Sequence, residues 1–111
     1  FPTIVCLCGS TKFWREFQEI NLQETLKGKI VLSIANVASS DDELFAKLSL
    51  TERERITRSL DELHFRKIEL SDEVFIVNKN SYIGDSTKRE LEYAQSLGKK
   101  ICWLEPPVNI P

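Results

Sequence analysis

Four short apolar runs, set apart by stretches of helical period, constrain this 111-residue chain more than any other feature. The first, Thr3-Ile-Val-Cys-Leu-Cys8, is β-branched and apolar without alternation, the pattern of a strand covered on both faces in a parallel sheet. Gly9-Ser10-Thr11 ends it. Phe13, Phe17 and Ile20 then recur at spacings of four and three, Ser10 or Thr11 offers an N-cap and Gly28 a stop, which predicts a helix over residues 12–26. Lys29–Ile34 reads as a second strand. Residues 35–50 have no period and carry Ser39-Ser40-Asp41-Asp42; so long a connection suggests a lid or binding loop. Thr51-Glu-Arg-Glu54 fits a capping box, and Ile56, Leu60, Leu63 and Ile68 follow as an inward stripe, predicting a helix over 52–69. Asp72–Asn78 supplies a third strand and Lys79–Asp85 a loop. Ser86 and Thr87 open a last helix, with Leu91, Ala94 and Leu97 toward the sheet and Gly98 at its end. Lys100–Leu104 is the fourth strand, stopped by Glu105-Pro-Pro.

The order β-α-β-α-β-α-β predicts one α/β domain over residues 1–111: a doubly wound parallel sheet in the order 2-1-3-4, helices on both faces, flavodoxin- or Rossmann-like. In such sheets a ligand sits outside the carboxyl ends of the strands, here between strands one and three, so Gly9–Lys12 and Asn78–Glu90 are the loops of interest. A composition of 41% hydrophobic and 29% charged residues excludes disordered and fibrous classes. The 15 basic and 17 acidic residues are mixed along the chain, with no basic stripe to follow a phosphate backbone, so no long nucleic acid is expected as partner. Apolar runs reach only about six residues, against roughly 20 for a bilayer span, and no charged-then-apolar leader stands first; no membrane partner and a cytoplasmic location are the expectation. Cys6, Cys8 and Cys102 lack a disulfide framework and read as small core residues. Cys6 and Cys8 would share one strand face, but with one His this is a weak metal signal, and no metal or cofactor is expected.

Several residues on these loops and helices bear chemistry. Gly9-Ser10-Thr11 places backbone amides at a helix start, suited to a sugar or phosphate, or equally to a tight turn with a hydroxyl cap. Glu90 falls about 40° from the centre of the Leu91, Ala94, Leu97 stripe, so its carboxylate is aimed inward, in the first helical turn where the dipole favours its ionised form. The alternative is a capping box, Thr87-x-x-Glu90. His64, the single histidine, leans toward the core as an acid–base group or as a satisfied structural residue. Tyr82, Asp85 and Ser86 precede Glu90; Asp85 offers a second carboxylate, though all suit a turn. Phe13 and Trp14 are placed to stack on a base or to fill a helix face.

The strand end Cys8-Gly9-Ser10, the segment Leu70-Ser-Asp72-Glu-Val-Phe-Ile-Val77, and above all Arg89-Glu-Leu-Glu-Tyr-Ala94 with Leu97-Gly-Lys-Lys-Ile101 resemble the nucleoside 2-deoxyribosyltransferase superfamily, which also includes deoxynucleoside monophosphate N-glycosidases. The resemblance implies cleavage of an N-glycosidic bond by hydrolysis or transfer, with Glu90 the nucleophile on the anomeric carbon; Asp85 and His64, read from their own places in the chain, are its candidate catalytic partners. Cys8, Gly9, Ser10, Thr11, Phe13, Asn78, Tyr82, Ser86 and Thr87, on or beside the two loops at the strand ends, are expected around a nucleoside or nucleoside 5′-monophosphate, and the family suggests a homodimer or larger assembly. His64 stands where the family often has an aspartate, and Ser86, Thr87 and Lys88 replace glycines before the nucleophile. The polar C-terminal segment that the transferases share across subunits is not found after Pro106-Pro107, so hydrolysis or simple binding is expected ahead of base transfer. The readings from other classes are a non-catalytic nucleotide or nucleotide-sugar binding and sensing domain, and a structural assembly module.

Overall fold

The computed structural model describes residues 1–34 and 47–107. Its centre is β1 (Ile4–Gly9), in which Val5, Cys6, Leu7 and Cys8 are wholly buried. β1 pairs in parallel with β2 (Ile30–Leu32) on one side and β3 (Glu73–Val77) on the other, and β4 (Lys100–Trp103) pairs in parallel with β3. The sheet therefore runs 2-1-3-4, as its alternating run of elements predicts.

Strand alternation divides the core. Val5 and Leu7 point to the face covered by α1 (Trp14–Leu26), where Phe13, Phe17 and Ile20 meet them together with Val77. Cys6 and Cys8, with Val74 and Ile76, point to the face covered by α2 (Leu50–Leu70) and α3 (Asp85–Ser96), whose Ile68, Leu91 and Ala94 complete that layer. With helices on both faces, the fold is doubly wound. No described helix is long and apolar enough to cross a membrane.

Element boundaries differ from expectation where caps and side-chain packing compete with pattern. The second strand ends at Leu32 and not at Ile34. A 3-10 turn, Thr11–Phe13, capped by Ser10, precedes α1. Ser49 caps α2, its hydroxyl accepting from the Glu52 amide at 3.2 Å, so the Thr51 capping box is displaced by two residues and Thr51 lies inside the helix. Leu60 and Leu63 are 45% and 50% exposed, because only the C-terminal third of α2 reaches the sheet; His64 and Ile68 form its buried face. Leu97 is 43% exposed at the end of α3, whose buried stripe is instead Thr87, Leu91 and Ala94. The proposed lid falls at residues 35–46, outside the described residues, and at 47–49, which lead into the α2 cap.

Gly9 is required by a close approach. A Cβ there would lie 2.9 Å from both Cβ and the carbonyl oxygen of Val77 and 3.2 Å from Phe17 Cζ, so β1, β3 and α1 converge where no side chain fits. Gly9→Ala is expected to lower stability by about 1–3 kcal/mol through forced displacement of packed backbone, read from urea unfolding midpoints.

Charge is compensated at the amino ends of the strands. Lys29 bridges the buried carboxylates of Glu24 and Glu73, and Lys27 bonds Glu24 at 2.8 Å. Burial alone would raise the Glu24 carboxyl, but the Lys27 and Lys29 hydrogen bonds outweigh it and hold it below the usual range; Glu73 and then Glu24 hold Lys29 above its own. Glu24 thus stabilises the fold above the ordinary carboxyl range and loses that contribution as pH falls through its lowered pKa. Lys29 contributes below the ordinary lysine range and loses it as pH rises through its raised pKa. Lys29→Met is expected to cost about 2 kcal/mol at neutral pH, less than a fully buried pair because 23% of the Lys29 side chain meets water. The deficit should shrink in acid as Glu24 becomes protonated, measured by urea unfolding across pH.

Candidate functional site

The carboxyl end of β1 gathers a set of buried groups on the α2 and α3 face. β1 delivers Cys6 and Cys8, α2 delivers His64 and α3 delivers Glu90. The Cys8 thiol lies 3.3 Å from His64 Nε2, the Cys6 thiol 3.8 Å from the same atom, and Glu90 Oε1 also 3.8 Å from it. His64 and Glu90 keep only 4% and 12% of their side chains exposed. Among the described residues His64 Nδ1 has no hydrogen-bond partner, so the ring is held by what surrounds Nε2.

Glu90 is not a helix cap. α3 begins at Asp85 after Gly84, no side chain caps it, and Thr87 and Glu90 both lie within the helix, which removes the capping-box alternative. The carboxylate shares a face with Thr87 and Ala94, three residues before and four after, which aims it inward as its angular position predicts. It stands in the second turn and not the first, however, so the helix dipole does little for it. Burial instead dominates and pushes its pKa up to about 7, against the attraction of His64, with Cys6 and Asp61 adding to the rise. Burial lowers the His64 imidazole, but Cys6 and Glu90 overcome this and leave it raised. The Cys6 thiol is drawn below its ordinary range, by the Cys8 hydrogen bond first, while Cys8 is pushed well above by Cys6, burial and Glu90. A carboxyl, an imidazole and two thiols thus compete for few protons in a poorly solvated space. Groups displaced in this way by burial and by one another, at the carboxyl end of the central strand, make this cluster a candidate functional site.

The other expected ligand residues fall into separate groups. The Cys8 side chain is buried on the α2 and α3 face beside His64, and Gly9 lies in a close β1–β3 contact that leaves no room for a side chain. Ser10 and Thr11 are at the rim, Ser10 accepting weakly from the Lys12 amide at 3.4 Å. Phe13 is buried in the α1 layer and meets Tyr82 edge-on at 5.9 Å. The Lys12 ammonium lies over the Tyr82 ring at 3.4 Å, tying the two loops together. Lys12 was not singled out by pattern, although its place in the first loop carried the signal. Asp85 and Ser86 are exposed at the start of α3, and Ser86 accepts from Arg89. Asp85 and Glu90, five residues apart, point about 140° apart around the helix, so they do not form a facing carboxylate pair. Thr87 is buried against the core.

Asn78 serves the fold. Its amide nitrogen donates to the Glu105 carbonyl at 3.0 Å and its oxygen accepts the Glu105 amide at 2.9 Å, fastening the segment after β4 to the end of β3. Each end of the buried amide is thus engaged by the Glu105 backbone. Asn78→Ala is expected to cost about 2 kcal/mol in thermal or urea unfolding, because it strands two Glu105 backbone groups.

No protein-family model matches the chain, and neither curated proteins nor solved structures yield a match.

Proposed function

We propose that the protein cleaves the N-glycosidic bond of a nucleoside or nucleoside 5′-monophosphate, with Glu90 as the carboxylate that meets the anomeric carbon. The observation that carries this reading is the placement of Glu90: an inward carboxylate free of any capping duty, beside the next-to-last residue of β1, at the β1–β3 switch point of a doubly wound sheet. The resemblance of Arg89-Glu-Leu-Glu-Tyr-Ala94 to deoxyribosyltransferases points to the same residue.

The chemistry follows from charge. As the C1′–N bond breaks, its electron pair leaves with the base, and the sugar acquires oxocarbenium character that an ionised carboxylate stabilises or captures as an ester. His64, 3.8 Å away, favours the ionised carboxylate when it is itself protonated, against the burial that pushes Glu90 up to about 7; it is a positioning residue in this scheme. The departing base takes its proton from solvent. Water then cleaves the ester and restores Glu90.

Free-base release from a panel of nucleosides and their 5′-monophosphates, followed by chromatography, tests this directly. Glu90→Ala and Glu90→Gln are expected to reduce release by roughly a thousandfold or more. Saturable nucleotide binding with no release, unaltered by Glu90→Ala, would instead identify a binding and sensing domain.

A further inference from the structure

The two thiols have no part in glycosidic chemistry, yet they converge with the imidazole on one point. His64 Nε2 carries either one hydrogen or one lone pair, while three groups approach it: the Cys6 thiol, the Cys8 thiol and the Glu90 carboxylate. A single hydrogen satisfies one such neighbour. A cation at the centre satisfies all four.

The spacing agrees with that centre. Zinc bond lengths of about 2.3 Å to sulfur and about 2.0 Å to nitrogen, at a tetrahedral angle, set sulfur and nitrogen about 3.5 Å apart. The two sulfur-to-Nε2 distances, 3.3 and 3.8 Å, bracket this value, and the three donor atoms all lie within 4.8 Å of one another. Glu90 Oε1, 3.8 Å from Nε2, is the carboxylate beside these three donors that offers a fourth ligand. Thiolate and imidazole favour zinc and similar borderline-soft ions over magnesium or calcium, which take oxygen. All three Cys and His donors are buried, so water is excluded, and the partly exposed Glu90 marks the side from which an ion enters.

We propose that Cys6, Cys8 and His64, closed by Glu90, form a binding site for one zinc ion or a divalent transition ion of similar softness. On binding, the thiol protons pass to solvent as the two sulfur–metal bonds form. The pairing of residues two apart on one strand with a residue on a distant helix explains why the spacing of cysteines alone is a weak metal signal. A filled site occupies the Glu90 carboxylate, so metal binding and glycosidic cleavage compete for one side chain; the test below does not read turnover, and either reading can fail alone.

The full chain, stripped with chelator, is titrated with Co2+ and then with Zn2+. One equivalent of Co2+ per chain is expected to produce thiolate-to-cobalt charge transfer and the intense visible bands of a tetrahedral site, both abolished by Zn2+ and unaffected by excess Mg2+. The Cys6→Ser/Cys8→Ser double variant is expected to lose the charge-transfer band and to bind Zn2+ more than about 100-fold more weakly, since even residues behind the ligands are worth 10–100-fold. Cys102→Ser, which alters the cysteine outside the cluster, should bind as the unmodified chain does. Absence of charge transfer, no saturable Zn2+ binding, unchanged affinity in the double variant, or loss of binding in Cys102→Ser overturns the proposal. Should the double variant not fold, X-ray absorption of the zinc-loaded unmodified chain decides: two sulfur neighbours uphold the site, and only nitrogen and oxygen neighbours overturn it.

Discussion

The pairing of β1 with β3 is the constraint on which the rest of the molecule depends. From Val5 opposite Glu73 to Gly9 opposite Val77 the two strands run in register, and at the last pair they approach so closely, with Phe17 behind, that only glycine fits. That register fixes which β1 side chains meet which helices. Val5 and Leu7 go to α1, Cys6 and Cys8 to α2 and α3. A slip of one residue would exchange the two sets, removing the thiols from His64 and Glu90 and leaving the bulkier aliphatic chains in their place.

The two ends of the sheet treat charge in opposite ways. At the amino end, the buried carboxylates of Glu24 and Glu73 meet Lys29, and the protein gains stability from the match. At the carboxyl end, Glu90 has only the edge of an imidazole and two thiols beside it, and burial dominates its ionisation. A fold seeking stability alone would fill that space with an aliphatic side chain. The cost is borne where doubly wound sheets receive their ligands, which supports the proposal that the cluster does chemistry.

Where pattern and structure disagree, the reason is the reach of the sheet. Ile56, Leu60, Leu63 and Ile68 have the period of a buried helix face, yet most of α2 extends past the strands, so Leu60 and Leu63 stay in solvent and His64 and Ile68 do the packing. Leu97 likewise continues a stripe that has run out of sheet, and buried Thr87 takes up the opposite end. The cap of α2 shifted to Ser49 because a hydroxyl there, with extended backbone, reaches the Glu52 amide. Each difference is local, and among the described residues none alters the order of elements.

Apolar runs, helical periods and stop glycines were enough by themselves to determine the parallel α/β class, the strand order 2-1-3-4 and the inward aim of Glu90, because these follow from interactions within a few residues and from the few topologies open to such alternation. The sequence also shows that Cys6 and Cys8 share a strand face. Only the tertiary structure decided that His64 lies against them, 58 and 56 residues away in the chain, and that Asn78 fastens the Glu105 backbone to the end of β3. Local pattern carries no distance between separate helices and strands; that distance is set by how side chains of different elements fill the space between them, and it is there that the site is made.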